Sequence, residues 1–224
     1  MLVFQKKYSI FAKNKKMKST FREWTLDKVD EAFGTTQVRS IGILEDLLSF
    51  KYEINDFERQ YLTELRENYM FGGDDWNEYE LENKFISPLI VFSKMDNIQF
   101  AYFLERPLSA TIGEYELTGL VDGMIATGFR SPKKPYFCMK EYKRQTDPDG
   151  DPKGQSLIAM WVSQHLNDNG KPIFGCYIIG RHWYFMVLVE KQYAISKSFA
   201  CDDDEVFDIY RILKSLRWHI EKLM

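Results

Sequence analysis

Gly119-Leu120-Val121-Asp122-Gly123 and, a short way on, Glu141-Tyr142-Lys143 are the stretches around which the chain is read. The first lies in an apolar run, Leu117 to Ala126, whose pattern predicts a strand; the second closes another strand-like run, Pro135 to Lys143. If the two strands are neighbours, Asp122 and Glu141 meet at one edge of a sheet with Lys143 beside them. A carboxylate in a mostly buried strand is costly unless it is paired, hydrogen-bonded or bound to metal. Asp122 therefore reads equally as a ligand or as an edge carboxylate that accepts backbone N–H groups. Gly123, with no side chain, leaves room for close approach to the backbone. Glu141 and Lys143 are two apart and share a face, with Tyr142 turned the other way. Phe137 and Met139 have the parity of Glu141, so that face is expected to run from core to polar edge.

Two carboxylates and an amine held this way suit a hard divalent cation, Mg2+ or Mn2+, which takes oxygen ligands and keeps several waters. Asp122, Glu141 and the backbone carbonyl of Tyr142 are the candidate ligands. Lys143 would orient a water or offset charge developing on a phosphate. Taken alone, Glu-x-Lys is usually an exposed ion pair. Gln155 follows Gly154 at the start of a helix, where the positive end of the dipole favours anions. It reads as a group that holds a water or a phosphate oxygen, or as an ordinary first-turn polar residue. Glu78, Leu81, Glu82 and Phe85 fall near one face of a helix expected over Trp76 to Ile90, so Glu78, or failing that Glu82, stands beside the buried stripe. Arg130, Lys133, Lys134, Lys140, Arg144, Lys153 and Arg181 make the surroundings locally basic, suited to tracking a phosphate backbone or simply to solubility.

The 224 residues, 45% of them hydrophobic, suffice for one sizeable core with or without a small appendage. A net charge of −3 lacks the global basic balance of many nucleic-acid binders, although a site can be basic inside an acidic protein. Three scattered cysteines, Cys138, Cys176 and Cys201, argue against a disulfide framework and a zinc ribbon and for a reducing compartment, hence a cytoplasmic protein. No apolar run spans a bilayer, so no membrane partner is expected, and Met1 to Lys18 lacks the pattern of a signal peptide. The basic start, with Lys6, Lys7, Lys13, Lys15, Lys16, Lys18 and Arg22, reads as a solvated arm or as one that contacts phosphates.

Helices are expected over Leu26 to Phe33 (capped by Thr25 and ended by Gly34), Ile41 to Leu48 and Asp56 to Tyr69, giving a helical N-terminal lead-in, residues 1–72. Strands are expected over Ile98 to Leu104, Glu116 to Thr127 and Tyr136 to Lys143, then a helix over Gln155 to Leu166. A hairpin of Ile173 to Ile179 and Trp183 to Val189 and a closing helix over Asp203 to Met224 complete residues 73–224. The fold class is mixed α/β: a central mixed sheet flanked by helices.

The order of a helix bearing Glu, a strand bearing Asp122, a strand ending Glu141-Tyr142-Lys143, and a helix opening with Gln155 resembles the PD-(D/E)XK nuclease superfamily. The likeness covers Trp76 to about Val189, including Gly154-Gln155-Ser156-Leu157-Ile158-Ala159-Met160. Val121 stands where the motif name has proline, which lowers its specificity. The resemblance implies a restriction-endonuclease-like core and hydrolysis of phosphodiester bonds with Mg2+ or Mn2+. Asp122 and Glu141 would be metal ligands, Lys143 the catalytic lysine, and Gln155 and Glu78 auxiliary residues. The implied partner is nucleic acid, DNA ahead of RNA, with homodimerisation left open. The alternative on the same fold is a catalytically inactive nucleic-acid-binding or assembly module.

Overall fold

A computed structural model describes residues 16–144 and 150–224. Lys6, Lys7, Lys13 and Lys15 of the basic arm lie outside the described residues.

The described part of the first 72 residues is not helical throughout. It comprises β1 (Met17–Thr20), α1 (Leu26–Phe33), β2 (Thr36–Gln37), α2 (Gly42–Leu48) and α3 (Asp56–Gly72). Then follow α4 (Glu78–Leu81), α5 (Ser87–Phe92), β3 (Phe100–Ile112), β4 (Tyr115–Thr127), β5 (Lys133–Lys143) and α6 (Pro152–Asn167). β6 (Ile173–Ile179), β7 (His182–Val189), β8 (Gln192–Ile195), β9 (Phe199–Ala200) and α7 (Glu205–Leu223) close the chain. Among the described residues the strands form one mixed nine-stranded sheet in the order β1-β4-β5-β6-β7-β8-β2, with β3 also on β4 and β9 also on β7. The expected mixed sheet covered by helices is thus the observed architecture.

Local chemistry sets the helix ends. The Thr25 side chain accepts from the Lys28 N–H, and Gly34 ends α1 at φ +67°, a left-handed conformation that costs glycine nothing. Asn55 and Glu58 exchange capping-box hydrogen bonds at the start of α3. Asp151 caps α6, and Pro152 occupies a first-turn position where its missing N–H is harmless.

Both faces of the sheet are buried, and β6 shows how. Phe174, Cys176 and Ile178 enter a layer with Leu62, Phe85, Leu89, Ile209 and Tyr210. Ile173 and Tyr177 enter the opposite layer with Val29, Leu157, Met160 and Met186. Alternate residues of a strand point to opposite faces, so α2, α3, α5 and α7 cover one side, and α1 and α6 the other. β1 pairs with β4 and β2 with β8, both in parallel. The lead-in helices and strands therefore share the cores of the rest. Cys201 is a buried free thiol, and no helix of the described residues is long and apolar enough to cross a membrane.

Three expectations change. β3 runs to Ile112 rather than Leu104, and forms a long hairpin with β4 that turns through Gly113 at φ +59°. Pro107 hides that length in the sequence; it is tolerated because β3 pairs only with β4 and is an edge strand. The helix expected over Trp76 to Ile90 is divided: α4 gives way to a π-helical turn at Glu82–Ile86 before α5. Third, Ile125 faces Cys138 but Ala126 faces Tyr136, so β5 carries an extra residue, a bulge. Phe137 consequently packs in the same layer as Tyr142, and the run of parity from Phe137 to Glu141 is broken.

Candidate active site

β4 is paired with β3 from Tyr115 to Thr127 except at Asp122. Its other edge is shared: β1 pairs with Tyr115 to Thr118, and β5 with Gly123 to Thr127. Between them Gly119, Leu120, Val121 and Asp122 pair with neither, and a cleft of about 670 Å3 opens there. The two glycines of the opening motif make this geometry. A Cβ at Gly119 would lie 2.2 Å from the Phe21 ring, which follows β1 and is buried. A Cβ at Gly123 would lie 2.7 Å from the Tyr102 hydroxyl and 2.8 Å from Lys140 Cε. Gly123 thus makes room for side chains of the protein itself, rather than for a ligand.

Asp122 and Glu141 stand just beyond the last β4–β5 pair, Gly123 with Lys140. Asp122 Oδ2 accepts the Tyr142 N–H at 3.0 Å, so the backbone-bonded reading of Asp122 holds, with the carboxylate still facing the cleft. The N–H and C=O of a strand residue point the same way. The Tyr142 carbonyl therefore faces the same gap, whereas the Lys143 carbonyl accepts from Gly180 on the β6 side. Lys143 Nζ lies 3.1 Å from Glu141 Oε1 and 3.7 Å from Glu78 Oε1. The Lys143 and Glu141 side chains are only 7% and 9% exposed, while Glu78 is 44% exposed. Gln155, buried in the first turns of α6, lines the cleft with Asp122, Glu141 and Glu78.

Burial pushes Asp122 above the usual carboxylate range, against the Tyr142 N–H and the charges of Lys143 and Lys140. Burial, then the Asp122 charge, lift Glu141 to about 7, with Lys143 opposing. For Lys143 burial works downward, but Glu141, Glu78 and Asp122 outweigh it and hold the ammonium charged. The cluster is thus short of positive charge. Among the described residues no three His, Cys, Asp or Glu side chains form a ready-made ligand group. Two carboxylates and a strand carbonyl still fit Mg2+, which is bound through one or two carboxylates and retains water.

On the opposite face of β5 lies a second acid–lysine pair. Lys140 Nζ is 2.9 Å from Glu82 Oε2, both buried, and Glu82 also accepts from Ser87 Oγ at 2.5 Å and from the Tyr102 hydroxyl at 3.4 Å. The ammonium sits 5.1 Å from the Tyr102 ring centre and 4.9 Å from that of Tyr142. Glu82 is therefore committed to Lys140, and it is Glu78 that faces the cleft. Lys140 is no surface cation.

The other basic residues separate. Arg144, directly after β5, and Lys153, in the first turn of α6, are exposed near the cluster's end of the sheet. Arg130, Lys133 and Lys134 are exposed at the far end of the β4–β5 hairpin, about 15–25 Å from the carboxylates at roughly 3.3 Å per strand residue. Arg181 pairs with Asp202 at 2.6 Å and with Asp74, and so ties the β6–β7 turn to two flanking segments. Sequence reasoning missed Tyr79, Glu105 and Leu120 as cleft residues, and placed Arg22 in a loose arm although it lines the same cleft. Glu105 holds φ +48° in β3, at the position across from Asp122. A non-glycine residue in that conformation beside a site is a known mark of function, but β3 carries no local signal for it. No protein-family model matches the chain, and the search of curated proteins finds no significant match.

Proposed function

We propose that the chain is a metal-dependent nuclease of the PD-(D/E)XK kind, hydrolysing phosphodiester bonds in nucleic acid, DNA ahead of RNA. One observation carries the reading: Asp122 and Glu141 line an open cleft where one edge of β4 is left between β1 and β5, and Lys143 Nζ lies 3.1 Å from Glu141 behind them. Asp122, Glu141 and the Tyr142 carbonyl would hold Mg2+ or Mn2+, which supplies Lewis-acid polarisation of the scissile phosphate and a more acidic water. The protein's own groups do the rest. The Tyr142 N–H fixes Asp122 Oδ2 and leaves the other oxygen for the ion. Lys143, held charged between Glu141 and Glu78, orients the attacking water and offsets charge on the phosphate oxygens. Gln155 supplies an amide at the positive end of α6 for a phosphate oxygen or a water.

The test is cleavage of labelled DNA and RNA in Mg2+ and in Mn2+, with EDTA controls. Metal-dependent cutting by the parent and none by Asp122→Asn supports the reading. Nucleic-acid binding that survives Lys143→Ala, with no cleavage by any form, replaces it with a non-catalytic module on the same fold.

A further inference from the structure

The walls of the cleft are unlike those of a surface built for a duplex. Among the residues that line it, Glu78, Glu105, Asp122 and Glu141 are acidic and Arg22 is basic. Arg130, Lys133 and Lys134, which could follow a second backbone, stand at the other end of the hairpin. A volume of about 670 Å3 is that of a small-molecule pocket, enough for roughly one or two nucleotides.

Two apolar side chains are displayed in this cleft. Tyr79 is 76% exposed and Leu120 is 57% exposed. Leu120 has the parity of Asp122 and lies about 7 Å from it along β4. Tyr79 follows Glu78, whose carboxylate reaches Lys143, so its ring is placed relative to the same cluster. Its turn is braced: Asn77 and Glu80 form a capping box, Lys84 pairs with Glu80 at 2.7 Å, and the Lys84 ammonium lies 5.1 Å from the Trp76 ring centre. A solvent-exposed aromatic ring carried on a braced turn beside an anionic floor is the arrangement with which proteins stack an unpaired base. In a duplex the base faces are already covered, and offering one requires flipping the nucleotide out.

We infer that Tyr79 and Leu120 clamp an unstacked base next to the phosphate held at Asp122 and Glu141, so that the strand taken by this site is single. This rests on the nuclease reading for the placement of the phosphate. Arg22, which lines the cleft on the β1 side, would contact the neighbouring phosphate.

The experiment is fluorescence anisotropy of a labelled single-stranded oligodeoxynucleotide and of the blunt duplex of the same sequence, with Ca2+ in place of Mg2+ so that a hard cation still bridges the carboxylates and the phosphate while both probes are checked to stay intact. It is run on the parent, Tyr79→Ala and Tyr79→Phe, and cleavage of both probes by the parent is measured separately in Mg2+ and Mn2+. The expected result is single-strand affinity at least tenfold above duplex affinity. Tyr79→Ala should lose about tenfold of the single-strand affinity and Tyr79→Phe should keep it, the size of effect found for one stacked base. Duplex binding equal to single-strand binding, no binding of either, or single-strand binding indifferent to Tyr79→Ala would each overturn the clamp. Tyr79-dependent binding with no cleavage of either probe would sustain the clamp and overturn the hydrolytic reading instead.

Discussion

Strand β5 carries two buried acid–lysine pairs, one on each face, and they are built to different ends. Glu82 and Lys140 close on each other at 2.9 Å, and Ser87 and Tyr102 complete the acid's partners. Glu141 and Lys143 pair at 3.1 Å, but Asp122 brings a second, half-buried carboxylate, and the cleft is open in front of the two acids. The comparison separates a charge pair that holds a structure from one that serves a site. Full satisfaction and closure mark the first; surplus like charge and access mark the second.

The largest expected effect falls on the open pair. Glu141→Gln keeps the shape but removes one of the proposed ligands. It should cut metal-dependent cleavage by roughly 10²–10³-fold, the scale on which single charge-stabilising groups act. It should also raise the melting temperature at neutral pH, because one of two crowded carboxylates is gone. A variant that cleaves like the parent would remove Glu141 from the site. The closed pair should respond in the opposite sense. Glu82→Gln leaves Lys140 buried without its counter-charge and should cost about 3–5 kcal/mol in urea unfolding. Adding Lys140→Met to Glu82→Leu should restore much of that loss, since a packed apolar pair is commonly as good as a buried ionic one. A cost below about 1 kcal/mol for Glu82→Gln would show that the closed pair does not hold the structure.

Gly119 sharpens the comparison at the gap itself. Gly119→Ala forces a methyl into the Phe21 ring, whose nearest atom would lie 2.2 Å away and leave no room for it. Overpacking of this kind costs about 1–3 kcal/mol. Because Phe21 links β1 to the cleft, cleavage should fall along with stability; a stable and fully active Gly119→Ala chain would show that the spacing between β1 and β5 does not matter.

What could be read from the sequence was what short-range chemistry specifies. Thr25 and Gly34 bound α1 where expected, and the β6–β7 hairpin turns at Gly180. The convergence of Asp122, Glu141 and Lys143 follows from two strands and a two-residue spacing, and is observed. The rest depends on long-range packing. β1 and β2 are four and two residues long, and their partners lie far along the chain. Glu78 and Glu82 share a helix face in sequence, and only the positions of Lys143 and Lys140 assign one to the cleft and the other to the core. Arg181 has the composition of a phosphate contact, but Asp74 and Asp202 hold its charge.

The smallest effect in this set, and one that needs no substrate, is the pH dependence of metal stabilisation. Glu141 titrates near 7 in the folded chain against an ordinary value of 4.5. Between those values the folded chain retains a proton that the unfolded chain has lost. Without metal, this group's contribution therefore makes stability fall as pH rises from about 4.5 to about 7. Asp122, raised by burial, acts in the same direction. A divalent ion binds the deprotonated carboxylates, so its increment should grow across that window and level off above it. At an Mg2+ concentration ten times Kd the increment is about 1.4 kcal/mol, or roughly 3–6 °C in Tm for a chain of this size. Thermal melts with and without Mg2+ from pH 5 to 8 measure it, with Glu141→Gln as the control that should lose the increment and the part of the slope that Glu141 supplies. An increment that is flat across the range, or one that persists in Glu141→Gln, would place the ion away from the open pair and leave β5 with two structural pairs instead of one.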